Sequence, residues 1–364
     1  MTSKKRTLLQ NPTGTEAFYL EEAYRHRRIT SSLDKLFTSW GYLPVETPVF
    51  DFYDIYASFL TEGQDSVYRL IDRDGDLLML RSDVTLFLAK QMGRSLKGSD
   101  LPVRVSYSDT ILRYQDSEDI SRNEFFQAGA ELIGKEGIEG DTEIVLLLLS
   151  TIKTLEIEAY IHIGSRALFN AVFCQFDEKE KQKLLKAVRG RYLIDMRDSL
   201  QGVWSDEAIE YLNTLFTFIG EKKEFDALIR KGKPFLTPSI LAELKAIPEL
   251  TERVRELAPE ANIRIDLSEV GGQPYYTGLV FQAYMEGMDS AIAGGGRYDN
   301  LLKGFGFDSP SVGFSILLRK IESRLGKSGR FSLPAAIVTA EGKTFAERYK
   351  NAEEQRKKGR IVIL

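Results

Sequence analysis

From Glu16 to Trp40 the apolar positions Ala23, Ile29, Leu33, Leu36, Phe37 and Trp40 recur at largely helical spacing, and Gly41 follows as a stop. One long helix is therefore predicted to open the fold. Pro44 and Pro48 bracket an extended stretch from Tyr42 to Phe50, because the residue before a proline is pushed toward β or polyproline geometry. Two short apolar pieces, Val67 to Ile71 and Leu77 to Leu80, flank Asp72-Arg73-Asp74-Gly75-Asp76, whose Asp-Gly pair predicts a hairpin. Asp83 stands where an N-cap belongs, ahead of Val84, Leu86, Phe87 and Leu88, with the helix expected to reach about Met92. Strands are expected at Val103 to Ser106, Thr110 to Tyr114 and Glu124 to Ile133, with a polar loop from Gln115 to Arg122. Asp141 is expected to cap an apolar helix running to about Leu155, ahead of a strand at Ala159 to Ile163.

Between about Arg166 and Pro259 the pattern changes to charged, Leu-rich segments of helical period: Glu178 to Val188, Asp206 to Phe218, and Ile240 to Leu257 with a break expected at Pro248. This reads as a helical insertion. Strand character returns at Ile263 to Leu267, Tyr276 to Tyr284 and Ser290 to Ala293, followed by three glycines and a helix expected over Val312 to Arg324. The end of the chain reads strand, helix, strand at Ala335 to Val338, Phe345 to Lys358 and Ile361 to Leu364. The expected organisation is a core over about 1–330, with the insertion at about 166–259, and a short βαβ piece over about 331–364.

Composition narrows the class. With 364 residues, 43% hydrophobic and 28% charged, the chain has the balance of a folded protein with a sizeable core. Its longest aliphatic run, Ile144 to Leu149, is far short of the ~20 apolar residues of a membrane span. No apolar signal core follows the basic start, so a cytoplasmic location is expected. A single cysteine, Cys174, excludes an internal disulfide, and His26 and His162 share no ligand spacing, so neither a metal nor any other cofactor is expected. A net charge of -4 argues against a surface built for phosphate backbones.

Candidate chemistry is sparse. Gly294-Gly295-Gly296-Arg297-Tyr298-Asp299 fits neither the P-loop nor the dinucleotide fingerprint; the glycines either face a ligand or mark a strand end packed closely on neighbouring backbone. Phe125, Gln127 and Glu131 share one face of a strand, so two polar groups point the same way and need partners or a ligand if that face is buried. His26, in a basic helical segment, and His162, in an apolar strand, read as structural. Lys4-Lys5-Arg6 and Arg25 to Arg28 read as solvated charge.

Taken in order, these pieces resemble the catalytic core of class II aminoacyl-tRNA synthetases, in the histidyl branch. Gly41 to Pro48 resembles the first motif, which in that class lies at the dimer interface. Tyr68-Arg69-Leu70 through Leu80-Arg81-Ser82-Asp83-Val84-Thr85 resembles the hairpin and the Arg-Pro-Glu-x-Thr segment that holds the amino group of histidine. Leu112-Arg113-Tyr114 through Phe125-Phe126-Gln127-Ala128-Gly129-Ala130-Glu131 resembles the second motif, and Tyr275-Tyr276-Thr277-Gly278 and Ala293 to Asp299 resemble two histidine-specific segments. The resemblance runs from about residue 11 to 325 outside the insertion. It implies an α+β fold, an antiparallel sheet flanked by helices, and a histidine site built from Asp83, Thr85, Arg113, Gln127, Glu131, Tyr275 and Tyr276. In that site Glu131 and Tyr276 would serve the imidazole, with Asp83, Thr85 and Gln127 around the ammonium.

Departures from the pattern redirect the function. The arginine of the histidyl Arg-Gly-Leu-Asp-Tyr-Tyr segment is replaced in Gly271-Gly272-Gln273-Pro274-Tyr275-Tyr276. Arg-x-Glu in the second motif stands as Arg113-Tyr114-Gln115, ahead of a loop with three acids and one base, Asp116 to Arg122. The third motif reads Leu317-Leu318-Arg319-Lys320, with lysine at the phosphate-binding arginine's place. Each charge-assisted hydrogen bond is worth roughly 1.5–3 kcal/mol, so three such losses remove about 4–9 kcal/mol from nucleotide activation. The βαβ end resembles only the first part of an anticodon-binding domain. This combination is similar to the regulatory-subunit family of ATP phosphoribosyltransferase. It implies no catalytic residues, a short-form catalytic subunit as partner, histidine as effector, and a homodimer within a heteromultimer that binds neither nucleic acid nor membrane. The effector could use the synthetase-like pocket or a subunit junction. A truncated histidyl-tRNA synthetase or an amino-acid-adenylating relative is the alternative, and a scaffold that binds its partner but no histidine is a third.

Overall fold

The structure is a computed structural model and describes residues 11–12, 14–60, 66–114, 123–325, 329, 331–333 and 337–364. The expected first helix is α1 (Leu20–Ser39), with Leu33 and Phe37 fully buried. Strands β1 (Leu43–Pro44) and β2 (Phe50–Phe52) and a single turn, α2 (Tyr53–Tyr56), follow. The hairpin is β3 (Arg69–Ile71) and β4 (Leu77–Leu80); the Asp72 carboxylate accepts from the N–H groups of Asp74 and Asp76 and so shapes the turn. Asp83 caps α3 (Val84–Ser95), accepting from the Leu86 N–H at 2.8 Å. Next come β5 (Val103–Leu112), β6 (Glu124–Ile133), α4 (Gly137–Leu155) and β7 (Ala159–Ser165).

The insertion comprises α5 (Arg166–Val172), α6 (Glu178–Gly190), α7 (Leu193–Leu200), α8 (Asp206–Phe216), a two-residue β8 (Ile219–Gly220), α9 (Lys222–Gly232) and α10 (Pro238–Leu257). After it come β9 (Ile263–Asp266), β10 (Leu279–Met285), β11 (Ala293–Arg297), β12 (Ser311–Leu317) and α11 (Leu318–Leu325), then β13 (Ile337–Thr339), α12 (Phe345–Lys357) and β14 (Ile361–Ile363).

A nine-stranded sheet runs in the order β1-β5-β6-β12-β11-β10-β7-β9-β8. From β5 through β7 every pairing is antiparallel, while β1 joins β5 and β9 joins β7 in parallel. The hairpin, with β2 added at its edge, forms a second sheet. A core containing Tyr56, Met79, Phe87, Val105, Phe125, Tyr298 and Leu302 joins this small sheet and α3 to β5 and β6. The Tyr56 and Phe87 rings stack at 4.6 Å.

Four expectations are corrected. Val103 to Leu112 is one strand, not two, because its polar middle pairs in unbroken register with β6. Asp141 does not cap α4: the helix begins at Gly137, and the Asp141 carboxylate instead meets the Arg297 guanidinium at 2.7 Å. Pro248 lies inside α10 without ending it; buried Leu244, Ile247, Leu250 and Val254 hold the helix together across the hydrogen bond that proline cannot donate. Val312 to Leu317 is strand rather than helix. It is paired on both sides and almost wholly buried, and a run apolar on both faces carries no period-2 signal. The loop Gln115 to Arg122, the segment Lys4-Lys5-Arg6 and the start of the strand expected at Ala335 lie outside the described residues.

The described residues divide into two compact units, one mainly Thr30–Ile321 and the other Ala17–Ile29 with Glu322–Leu364. The second holds the parallel pair β13 and β14, α12, and a small core of Ala340, Ala352 and Val362. Within it His26 Nδ1 lies 2.5 Å from Glu322 Oε1, which gives that histidine a structural partner. Among the described residues no helix is long and apolar enough to cross a membrane.

Arg81 holds the frame around Asp83. Its side chain is 2% exposed and its guanidinium donates to the Thr47 and Thr110 carbonyls, the Thr47 hydroxyl and the Asp109 carboxylate, so it ties the segment before β2 to β5. Removing it would strand several buried acceptors and the Asp109 charge. Arg81→Ala is expected to lower unfolding stability by roughly 3–5 kcal/mol in urea titrations, and Arg81→Lys to recover only part of it, because one ammonium cannot fan out to both flanks.

Candidate amino-acid pocket

At the centre of the sheet, Glu131 of β6 is the cross-strand partner of Gly313 of β12. An ideal Cβ on Gly313 would lie 1.4 Å from Glu131 Oε2, so only glycine leaves the carboxylate its space. The triple glycine extends this backbone floor. Gly294 to Gly296 lie within β11 rather than beyond a strand end, and ideal Cβ atoms on Gly295 and Gly296 would fall 2.3 and 2.4 Å from the carbonyl oxygens of Gly313 and Leu279. Gly295 packs closely on neighbouring backbone and also lines a cavity.

That cavity, about 350 Å³, is lined by all of the expected residues: Asp83, Thr85, Arg113, Gln127, Glu131, Tyr275 and Tyr276. They arrive from the start of α3, the end of β5, the shared face of β6 and the segment before β10.

The floor of the cavity carries two carboxyl groups, Glu131 and Asp83. Glu131 is 1% exposed and accepts from Thr85 Oγ1 at 2.7 Å, Tyr107 Oη at 3.3 Å and Tyr298 Oη. Burial pushes its carboxyl up to about 8; the Tyr298 and Thr85 hydroxyls pull the other way, and the nearby Asp83 charge adds to the rise. Asp83 accepts from Tyr275 Oη at 3.1 Å and Gln273 Nε2 at 3.3 Å besides its capping bond. Burial raises its carboxyl too, opposed by the Leu86 N–H and the Arg113 charge. Among the described residues neither carboxylate has a salt bridge. Gln127 Nε2 donates to Ser315 Oγ at 2.5 Å, while Gln127 Oε1 is buried with no hydrogen-bond partner. An acceptor left so costs about 1–3 kcal/mol unless a donor arrives. The Arg113 guanidinium lies 5.7 Å from the centre of the Phe125 ring.

One wall is bare backbone. Gly271 has φ +77°, and an ideal Cβ there would sit 2.6 Å from the Tyr276 ring, so conformation and space both exclude a side chain. Arg166, buried at the start of α5, fixes this wall by donating to the carbonyls of Val270, Gly271 and Gln273 at 2.6, 2.8 and 3.2 Å. Lys320, at the third motif's expected cation position, donates to Ser290 Oγ at 2.6 Å and is not part of the cavity lining. His162, Asp266 and Glu269 form a potential ligand set among the described residues. Their atoms are already engaged, since Asp266 takes His162 at 2.9 Å and Arg191 at 2.8 Å, and Glu269 accepts from Tyr284.

Sequence reasoning missed Tyr107, Tyr298, Gln273, Ser315 and Arg189. Tyr298 and Gln273 stand inside segments already singled out and could have been found there; Tyr107 and Ser315 carry no local signal. Arg189 comes from the insertion, far away in the chain.

The chain matches the family model described as Histidyl-tRNA synthetase over residues 14–321. An ATP phosphoribosyltransferase regulatory subunit of Moorella thermoacetica is 31% identical over 98% of this chain and 92% of its own length. The chain belongs to the ATP phosphoribosyltransferase regulatory subunit family. A regulatory subunit of that name from Clostridium kluyveri is 28% identical over 96% of this chain and 92% of its own. In fold, the chain is similar to an ATP phosphoribosyltransferase regulatory subunit/histidyl-tRNA synthetase from Bacillus halodurans, with TM-score 0.86 and 23% identity over 99% of this chain and 93% of that one. A histidyl-tRNA synthetase from Nostoc sp. gives TM-score 0.79 and 21% identity over 98% and 86%. The class II synthetase-like α+β fold is thus shared by this regulatory-subunit family and the synthetase.

Between about pH 4.5 and 8 the folded protein keeps a proton on Glu131 that the unfolded chain has released. Raising pH through this window therefore favours unfolding. The urea midpoint of the wild type is expected to fall across it relative to Glu131→Gln, which has no such proton; parallel pH profiles would contradict this assignment.

Proposed function

We propose that this chain is a non-catalytic regulatory subunit of ATP phosphoribosyltransferase that reads free histidine in this cavity. It pairs with a short catalytic subunit at the first step of histidine biosynthesis, activates it and confers feedback inhibition. The names of its relatives support the partner and the pathway. One observation carries the choice of ligand: a buried Glu131 carboxyl with no cation beside it and a half-buried Asp83 carboxylate with no salt bridge, beside a buried amide oxygen without a donor. A free amino acid with an imidazole side chain supplies what is missing. Its ring N–H can donate to Glu131, its ring nitrogen can meet the Tyr276 hydroxyl, and its ammonium can donate to Asp83 and Gln127 Oε1. Thr85, whose hydroxyl already donates to Glu131, holds that carboxylate in place rather than meeting the ligand first.

Inhibition then follows from linkage. Histidine that binds an inhibited state of the complex more tightly than an active one shifts the population toward it, and a coupling of ~1–3 kcal/mol gives useful feedback. The adenylating alternative, as the synthetase resemblance draws it, takes its carboxylate-activating arginine from position 271 of the wall itself, and that position is held as glycine by its φ of +77° and by the Tyr276 ring. Within this reading the chain works as a homodimer inside the heteromeric complex, in the cytoplasm, with a synthetase-like core to about residue 330 and the βαβ piece beyond.

Calorimetry with L-histidine is expected to show binding that Glu131→Gln weakens by roughly 10- to 100-fold; unchanged affinity would move the effector site elsewhere. The isolated chain is expected to give no histidine- and ATP-dependent pyrophosphate exchange, and clear exchange would favour the synthetase reading. A complex reconstituted without this chain should lose histidine inhibition, and full inhibition in its absence would reject the regulatory role.

A further inference from the structure

Among the residues lining the cavity, two carry a positive charge, Arg113 and Arg189. Arg113 has occupations already: its charge acts on Asp83, and its guanidinium lies near the Phe125 ring. The Arg189 side chain has none, since among the described residues its guanidinium forms no hydrogen bond or ion pair. It is exposed, it sits on the last turn of α6, and its Nη2 lies 3.0 Å from where a Cβ on Gly272 would be. The missing side chain at Gly272 is what leaves the guanidinium room beside the bare wall.

This placement is built rather than incidental. Helix α6 ends at Arg191 in the left-handed conformation, φ 55° and ψ 34°, and the Arg191 guanidinium reaches both oxygens of Asp266 at 3.1 and 2.8 Å. Asp266 is 1% exposed and also accepts from His162 and the Ser268 hydroxyl. The same buried carboxylate therefore anchors the helix end that carries Arg189 and opens the segment that runs to Gly271 and Gly272. With Arg166 gripping the carbonyls of that segment, both sides of the gap between Arg189 and Gly272 are fixed.

We infer that Arg189, supplied by the helical insertion, takes the α-carboxylate of the amino acid held in the cavity and ties the end of α6 to the wall when the site is filled. The inference rests on the reading of the cavity as a histidine site. Glu131 receives the imidazole N–H, and the ammonium meets Asp83, which itself accepts from Gln273 Nε2 of the wall at 3.3 Å; the α-carboxylate, bonded to the same carbon as the ammonium, therefore falls beside the bare wall. A guanidinium fork pairs with a carboxylate through two parallel N–H donors, a geometry lysine cannot reproduce. A cation from the insertion thus stands beside the position at which the synthetase resemblance expects an arginine on the wall itself.

The experiment compares L-histidine with L-histidinol, which keeps the imidazole and ammonium but has a hydroxymethyl group in place of the carboxylate. By calorimetry, Arg189→Ala is expected to bind histidine about tenfold or more weakly while histidinol affinity stays within about twofold, with Arg189→Lys intermediate. Hydrogen exchange at residues 185–191 should slow when the wild type binds histidine and should not slow in Arg189→Ala. Unchanged histidine affinity in Arg189→Ala, with Glu131→Gln still weakening binding, would overturn the role of Arg189 and leave the pocket reading standing. Equal loss of both ligands would also overturn it, by making Arg189 a support for the pocket at large. A wild type that binds neither compound would sink both readings.

Discussion

A carboxylate taken out of water without a cation beside it is the constraint around which this molecule is arranged. Glu131 keeps its place in the middle of the sheet through hydroxyl groups, from Thr85 on α3, Tyr107 on β5 and Tyr298 after β11. Each donor belongs to a different part of the chain, so satisfying one side chain demands that α3, β5, β6 and the end of β11 sit in register together. Arg81 answers the same demand from the other direction. It binds backbone carbonyls of the segment before β2 and of β5, and so holds the stretch from which Asp83 and Thr85 begin α3.

Space for a ligand is made by leaving side chains out. Gly313 clears the region over Glu131, the β11 glycines let neighbouring backbone form the floor, and Gly271 and Gly272 give a wall with no side chains of its own. Specificity then comes from a few polar groups converging on an otherwise bare shell. An acidic, hydroxyl-rich floor favours a ligand that brings donors and positive charge, and it disfavours a triphosphate. The chain's kinship is with regulatory subunits of ATP phosphoribosyltransferase, on a fold shared with histidyl-tRNA synthetase.

The insertion belongs to the site as much as to the scaffold. Arg166 at its start fixes the wall, and Arg191 at the end of α6 locks onto Asp266. Floor and wall are thus built from segments far apart in the chain, from Asp83 to Gly313.

Local sequence was enough to determine the hairpin with its Asp-Gly turn, the Asp83 cap, the strand carrying Gln127 and Glu131 on one face, and most of the helices, because capping, turn chemistry and periodicity act over a few residues. The ordered motifs named seven residues that line one cavity, but not Arg189, Gln273, Tyr298 or Ser315, which line it too. Only the tertiary structure decided that Val312 to Leu317 is a strand, since burial on both faces erases alternation, and that α10 passes through Pro248, since packing outweighs one lost hydrogen bond. It also decided what the pocket is like: that Glu131 faces no cation, that Gly271 cannot carry a side chain, and that Arg189 stands at the wall. Those facts depend on which distant segments fold against one another, and charge compensation and excluded volume are properties of that arrangement rather than of any stretch of chain.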